Sequence, residues 1–273
     1  MIGLSGLLAS FIFLYPQLFF CEVIAFSGFN SRNDEVYYSP DIPARHLPKL
    51  EKIIAHSQMR VDSFYNGRLA RPKIIVCSNP QQYQRYCSST EGAGCSLGTP
   101  WGQTFVILNV QGANVDVIAH EMSHTELLAR LGWWKVTNEI PQWFNEGLAL
   151  MLDRRFVNQP DPARRYLDYM EEWLYYTGGG QTVLELADIT SMKGFYNGSQ
   201  QHVMLAYMSS GVEVSYWLTL AGKNGLSSFF TNIENGRTFE NAMAQAEQAR
   251  LKKYYKRLPR NPLRLPVSKK MQE

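Results

Sequence analysis

Apolar positions recur along this chain with different periods in different stretches, and those periods divide it before any motif is considered. Ile2 to Cys21 is a run of twenty residues without a formal charge, broken only by Ser, Gly, Pro16 and Gln17, and is long enough to cross a bilayer. Glu35 to Ser39 reads as extended. Leu47, Leu50, Ile53, Ile54, Val61 and Phe64 then fall at helical spacing and predict a helix over 43–65, with Asp41 placed to cap it, Pro43 in its first turn and Gly67 ending it. Lys73 to Cys77 is a short β-branched run of the buried-strand type, Ser88 to Gly102 is a Gly- and Ser-rich loop, and Thr104 to Val110 alternates as a second strand.

Helical spacing returns from Val115 to Leu131, stopping at Gly132, and again from near Pro141, where a helix carries Trp143 to Arg155. Three more helices are predicted over 164–174, 199–220 and 239–257, with Gly222 as a stop signal after the second. The order implies an α+β fold, a small sheet packed on the central helix and then a mainly helical lobe. The expected divisions are an N-terminal anchor or signal segment over 1–28, one folded domain over 29–257, and a basic, Pro-containing tail over 258–273.

Composition changes this picture in two places. At 273 residues, 45% hydrophobic and 19% charged, the chain can bury one substantial core. Its net charge of +3 is uneven: Arg250 to Glu273 holds nine Lys or Arg against one acid, so the remainder is acidic. A uniformly basic nucleic-acid-binding surface is therefore not expected. The tail is a frayed, solvated end or a segment drawn to anionic lipid. Ala25-Phe26-Ser27 is a passable small-x-small cleavage site, so a retained membrane anchor and a cleaved signal both stay open. The four cysteines Cys21, Cys77, Cys87 and Cys95 make no metal-binding pair pattern. Cys87 and Cys95 could close a disulfide in an oxidising compartment, and unpaired thiols are the alternative.

The chemistry sits in Val117-Ile118-Ala119-His120-Glu121-Met122-Ser123-His124. Two histidines four residues apart lie on one helix face, where both imidazoles reach one ion, and Glu121 projects beside the open coordination position. A catalytic zinc needs a third protein ligand. The metzincin pattern would put Gly at 127 and His at 130, where the chain has Leu127 and Arg130. Glu146, twenty-two positions after His124, stands instead among Trp143, Phe144, Leu148 and Leu150. A turn through 132–139 would bring it back against the histidines, and a carboxylate amid so much apolar surface asks for a cation.

Val-Ile-Ala-His-Glu-Met-Ser-His followed by Trp-Phe-Asn-Glu-Gly-Leu-Ala resembles the paired signature of the gluzincin metallopeptidases, the peptidase MA-like group. The resemblance is close over His120 to Asp153. It implies a zincin-like fold, one Zn2+ held by His120, His124 and Glu146, and Glu121 as the base that activates water. It also implies an oxyanion donor from the helical lobe, for which Tyr207 is the choice and His202 the second candidate. Asp116 and Asp153 are candidates for orienting the imidazoles, and Thr104 to Asn109 for the edge on which a substrate strand lies. The segment Gly-Ala-Met-Glu-Asn, which reads a free amino terminus in aminopeptidase N, is absent, and the His124 to Glu146 spacing is a little longer than in that family. The expectation is an endopeptidase acting on a peptide or protein, membrane-anchored or exported, in a bacterial periplasm or inner membrane. An aminopeptidase and a non-catalytic zinc-containing binding module are the alternatives. Oligomeric state is not legible.

Overall fold

The computed structural model describes residues 13–89, 92–222 and 224–257, with side chains through residue 248. The chain divides into two compact units, Met1–Thr219 and Leu220–Glu273. In order, its elements are α1 (Pro16–Glu22), β1 (Asn30–Ser31), β2 (Val36–Tyr38), α2 (Leu47–Tyr65), β3 (Lys73–Cys77), α3 (Pro80–Cys87), β4 (Gly94–Gly98) and β5 (Thr104–Asn109). Then follow α4 (Val115–Leu131), α5 (Trp133–Asn138), α6 (Gln142–Leu150), α7 (Pro162–Tyr176), α8 (Met192–Tyr196), α9 (Gln200–Ala221), α10 (Gly225–Glu234) and α11 (Phe239–Arg257). The fold is α+β with one small sheet, as the sequence implied.

The five strands lie in the order β1-β2-β3-β5-β4. β3 pairs parallel to β2 and β5, and β4 returns antiparallel along the outside of β5. Both faces of the central strands are covered, which is why β5 is buried at all six positions and reads as a nearly continuous apolar run. On one face Tyr37, Ile75, Cys77, Phe105 and Ile107 share a core with Cys21, Ile24, Tyr83 and Tyr86. The alternate positions of the pleat, among them Ile74, Val76, Val106 and Leu108, face the opposite layer. In that layer α4 packs on β4 and β5, and α2 packs on α4. α2 buries Leu50, Ile54, Ser57, Val61 and Tyr65 as one stripe. It is tied to α4 by Ser57 Oγ donating to the Val115 carbonyl at 3.2 Å and by a 2.6 Å contact between Tyr65 and Ser123 hydroxyls. In the second unit α10 and α11 form a helical pair around Leu226, Phe229, Phe230, Phe239 and Ala242.

Several elements depart from the expected boundaries for identifiable reasons. α2 begins at Leu47, not at 43, because Ala44–His46 forms a 3-10 turn first and Asp41 spends its carboxylate on Ser78 Oγ and Gln82 Nε2. Asn66, in the left-handed region at φ 55°, closes that helix one residue before Gly67. The expected loop 88–102 contains β4, so β4, and not β5, is the sheet edge on this side. α6 stops at Leu150, short of Arg155, because side chains from elsewhere satisfy its last carbonyls. Tyr169 Oη donates to Leu150 O, Arg165 Nη1 to Met151 O and Arg60 Nη1 to Leu152 O.

The apolar run at the N-terminus is also used differently. Residues 2–12 of that run lie outside the described residues, as does the basic tail 258–273. From Pro16 onward the run folds onto the protein: Cys21 and Ile24 have no solvent exposure, and Phe20 packs against Tyr86. Burial raises the pKa of the Cys21 thiol, as it raises that of Cys77 to about 12. Among the described residues no helix is long and apolar enough to cross a membrane. Cys21 and Ile24, with Leu18 and Phe20 packed against them, are thus structural members of the sheet's core, and trimming the chain at Ser27 removes them. Ile24→Ala should cost about 2–5 kcal/mol in denaturant unfolding, and a chain starting at Asn30 should lose more. An unchanged midpoint in both would mean that this packing contributes nothing to stability.

Candidate metal centre

α4 is started by Asn114, whose side-chain oxygen accepts from the backbone N–H of Asp116 and Val117 at 2.9 and 3.0 Å. Its far end is fixed by Glu126, fully buried, which accepts from Leu69 N and Ala70 N at 2.8 Å and from Arg130 Nε at 2.8 Å. Between these ends the two imidazoles lie one turn apart, their centroids separated by 5.0 Å. α5 occupies the connection expected to be a plain turn, and α6 then returns against α4. Gly147 allows α6 to approach α9 closely, since a methyl there would meet Val214 Cγ2 at 2.4 Å and the Ser210 carbonyl at 2.7 Å.

That approach leaves Glu146 facing the histidines. Its Oε2 lies 3.3 Å from His120 Nε2 and 3.6 Å from His124 Nε2. One ligand atom from each of the three residues fits within a 4.8 Å cluster, which could hold a metal ion. The tautomers suit this role. His124 Nδ1 lies 2.8 Å from Asn145 Oδ1, an acceptor, so Nδ1 is the donor there and Nε2 is the ring nitrogen turned toward Glu146. His120 Nδ1 faces Asp153 Oδ2 at 3.5 Å. Asp153, fully buried, is itself held by Arg155 through Nε at 2.9 and 3.0 Å and Nη2 at 2.5 Å. Glu146 Oε2 is buried and has no hydrogen-bond partner in the protein. A buried carboxylate oxygen aimed at two imidazole nitrogens is a donor set for a cation.

The electrostatics agree. Burial opposes charge on His120, but Asp153, Glu146 and Glu121 outweigh it and hold the ring's pKa at about 10. Burial also opposes charge on Glu146, and the neighbouring His124 and His120 reverse that, bringing its carboxyl down to about 2. Asp153 is lowered in the same way, by His120 and Arg155 against burial. A proton on His120 and a divalent cation among the three ligands are alternative ways of balancing one excess of negative charge.

Glu121 projects into the same cleft and accepts a 2.9 Å hydrogen bond from Ser96 Oγ on β4. β4 is close enough for this because glycines flank Ser96 on the face toward α4: a methyl at Gly94 would meet Glu121 Cγ at 3.0 Å, and one at Gly98 would meet Leu128 Cδ1 at 2.6 Å. The disulfide Cys87–Cys95 ties the same strand to the end of α3. The cleft encloses about 800 Å3, with β4 on one wall and residues including Trp133, Ile140 and Met192 also lining it.

Of the residues singled out from sequence, His120, Glu121, His124, Glu146 and Tyr207 all line this cleft. Tyr207 has its ring 6.5 Å from His120 and its hydroxyl 3.4 Å from that of Tyr196. His202 does not reach the metal cluster: its Nε2 donates to the Gly194 carbonyl at 2.8 Å. Asp116 faces away as well, bound by Arg60 Nη1 at 2.5 Å and Arg154 N at 3.2 Å. Ser96, Gln142, Asn145 and Tyr196 went unrecognised. Gln142 stands one helical turn before Glu146 and was legible by spacing; Ser96 and Tyr196 arrive only through tertiary packing. No protein-family model matches the chain, and no curated protein is significantly similar to it.

The shift on His120 has a measurable consequence. Its folded pKa of about 10 lies above the ordinary 6.5, so its contribution is fully present below about pH 6.5 and is lost as pH rises through about 10. Protein stripped of metal by a chelator should therefore lose thermal stability over that interval. A saturating divalent cation held by the three residues should abolish this slope, because imidazole binds metal in its neutral form. A chelated protein with a flat midpoint between those limits would show that His120 is not charged.

Proposed function

We propose that the chain is a zinc-dependent metallopeptidase of the gluzincin kind, an endopeptidase with a zincin-like fold. The observation that carries this reading is the convergence of His120, His124 and Glu146 around an unpartnered carboxylate oxygen, with Glu121 beside them in an open cleft. When bound, zinc supplies a Lewis acid that polarises a carbonyl and acidifies water.

The chain's own residues do the rest. Glu121 takes the proton of the attacking water at its carboxylate and passes it to the leaving amine. Ser96 keeps that carboxylate turned into the cleft. Tyr196 commits its proton to Glu146, so any hydrogen bond across the 3.4 Å between the two phenols is donated by Tyr207. Tyr207, whose proton is not held by a carboxylate, is the hydroxyl that turns from Tyr196 to the developing oxyanion. The outer edge of β4 offers backbone groups to an extended peptide, a mode with little sequence preference.

The reading includes a place outside the cytoplasm, in a bacterial periplasm or at the inner membrane. Its supports are the charge-free run before Cys21 and the disulfide Cys87–Cys95, a bond that persists in oxidising compartments. Membrane attachment through the N-terminal segment belongs to the same proposal.

Elemental analysis of the purified full chain should find about one zinc per molecule. Glu146→Ala should weaken or lose it. Glu121→Gln should keep the metal while cleavage of a mixed peptide library falls by a hundredfold or more, on the order expected for removal of a general base. A folded wild-type chain that takes up no zinc would overturn the reading. Zinc without cleavage of any peptide would leave a binding module in its place.

A further inference from the structure

Glu146 has two carboxylate oxygens in unlike surroundings. Oε1 accepts two hydrogen bonds, from Gln142 Nε2 at 2.8 Å and from Tyr196 Oη at 2.6 Å. Oε2 accepts none and faces both histidine Nε2 atoms. A carboxylate free to rotate about its last bond presents either oxygen, or both, to a cation. One donor from its own helix and one from outside remove that freedom.

The outside donor is firmly placed. Tyr196 ends α8, in the segment 186–196 that crosses the start of α6. That segment is tied to α6 by Gln142 N donating to the Thr190 carbonyl at 2.8 Å, and to α9 by His202 Nε2 donating to the Gly194 carbonyl at 2.8 Å. Ser191 Oγ caps α8 by accepting from Gly194 N at 3.0 Å. Phe195 is fully buried, its ring 5.1 Å from that of Tyr207.

We propose that Tyr196 and Gln142 are positioning residues that lock Glu146 Oε1, so that Glu146 offers the metal Oε2 alone and the centre keeps an open position for water. The segment 186–196, which carries no ligand, is then a working component of the metal centre, and His202 serves by holding that segment. This rests on the metal-centre reading above. It assigns Tyr196 and Tyr207 different tasks although their hydroxyls are neighbours.

The test is zinc affinity by competition with a chromophoric chelator, on the full chain, for wild type, Tyr196→Phe, Gln142→Met, the double variant and Tyr207→Phe. Tyr196→Phe and Gln142→Met should each weaken zinc binding about tenfold or more, the range seen when outer partners of metal ligands are removed. Tyr207→Phe should leave it unchanged. Cobalt(II) substitution supplies a readout that loss of packing does not move. Freeing Oε1 lets the carboxylate bind through both oxygens, and the visible band should weaken as the coordination number rises. Wild-type zinc binding with unaltered affinity and cobalt spectrum in the double variant would overturn this proposal alone. No zinc in wild type would overturn it together with the metal centre. Melting curves of the metal-free variants separate either result from misfolding: Tyr196→Phe keeps the ring, so it should still unfold in one cooperative transition, lowered only by the lost hydrogen bond to Glu146.

Discussion

Everything near the cleft is arranged around one costly feature, the charge of Glu146 held away from water between two imidazoles. Leaving such a carboxylate unpaired costs several kcal/mol, and the surrounding elements each supply something against that cost. α4 brings the imidazoles, α6 brings Gln142 from its own first turn, and the turn after α6 brings Asp153 behind His120. The long-range ties then read as means of keeping α4 and α6 in register. Arg60 joins α2 both to Asp116 at the start of α4 and to the carbonyl that follows α6. Glu126 fixes the opposite end of α4 to the loop after α2. These contacts lie outside the cleft, yet they determine whether its three ligand atoms can meet.

What the sequence made legible follows from how local each signal was. The two histidines and Glu121 lie within five residues of one strongly patterned helix, so their relation is a property of helical geometry. Glu146 was reached through its apolar neighbours, a weaker signal that depends on the chain turning back. β4 was invisible because Gly-Cys-Ser-Leu-Gly has almost none of the residues that favour strands. It is a strand because β5 pairs with it, and its glycines are there because α4 lies so close. α3 was missed although Asn79 before Pro80 is a readable start, with the Asn79 side chain accepting from Gln82 N. The end of α6 was misplaced because the groups that terminate it come from Arg60, Arg165 and Tyr169, far away in sequence.

The N-terminal segment shows a different limit. Hydropathy alone treats Ile2 to Cys21 as one object, but apolar residues suit a protein core as well as they suit lipid. Pro16 occupies the first turn of α1, where a missing N–H costs nothing, and Leu18, Phe20, Cys21 and Ile24 after it pack into the sheet's core. No periodicity argument separates these two fates, because both demand only the absence of charge.

β4 has two masters. Gly94, Ser96 and Gly98 answer to the helix that carries Glu121, while Cys95 and Leu97 answer to the core shared with α1 and α3. Five consecutive positions therefore have almost no room to vary, since a side chain that suits one layer alters the spacing of the other. A lineage reshaping this cleft would find that wall frozen. Divergence would fall instead on other parts of the lining, where Trp133, Ile140 and Met192 face the same space from short helices and turns. The shape of the groove would then change from one side, with the side built on α4 and β4 inherited intact.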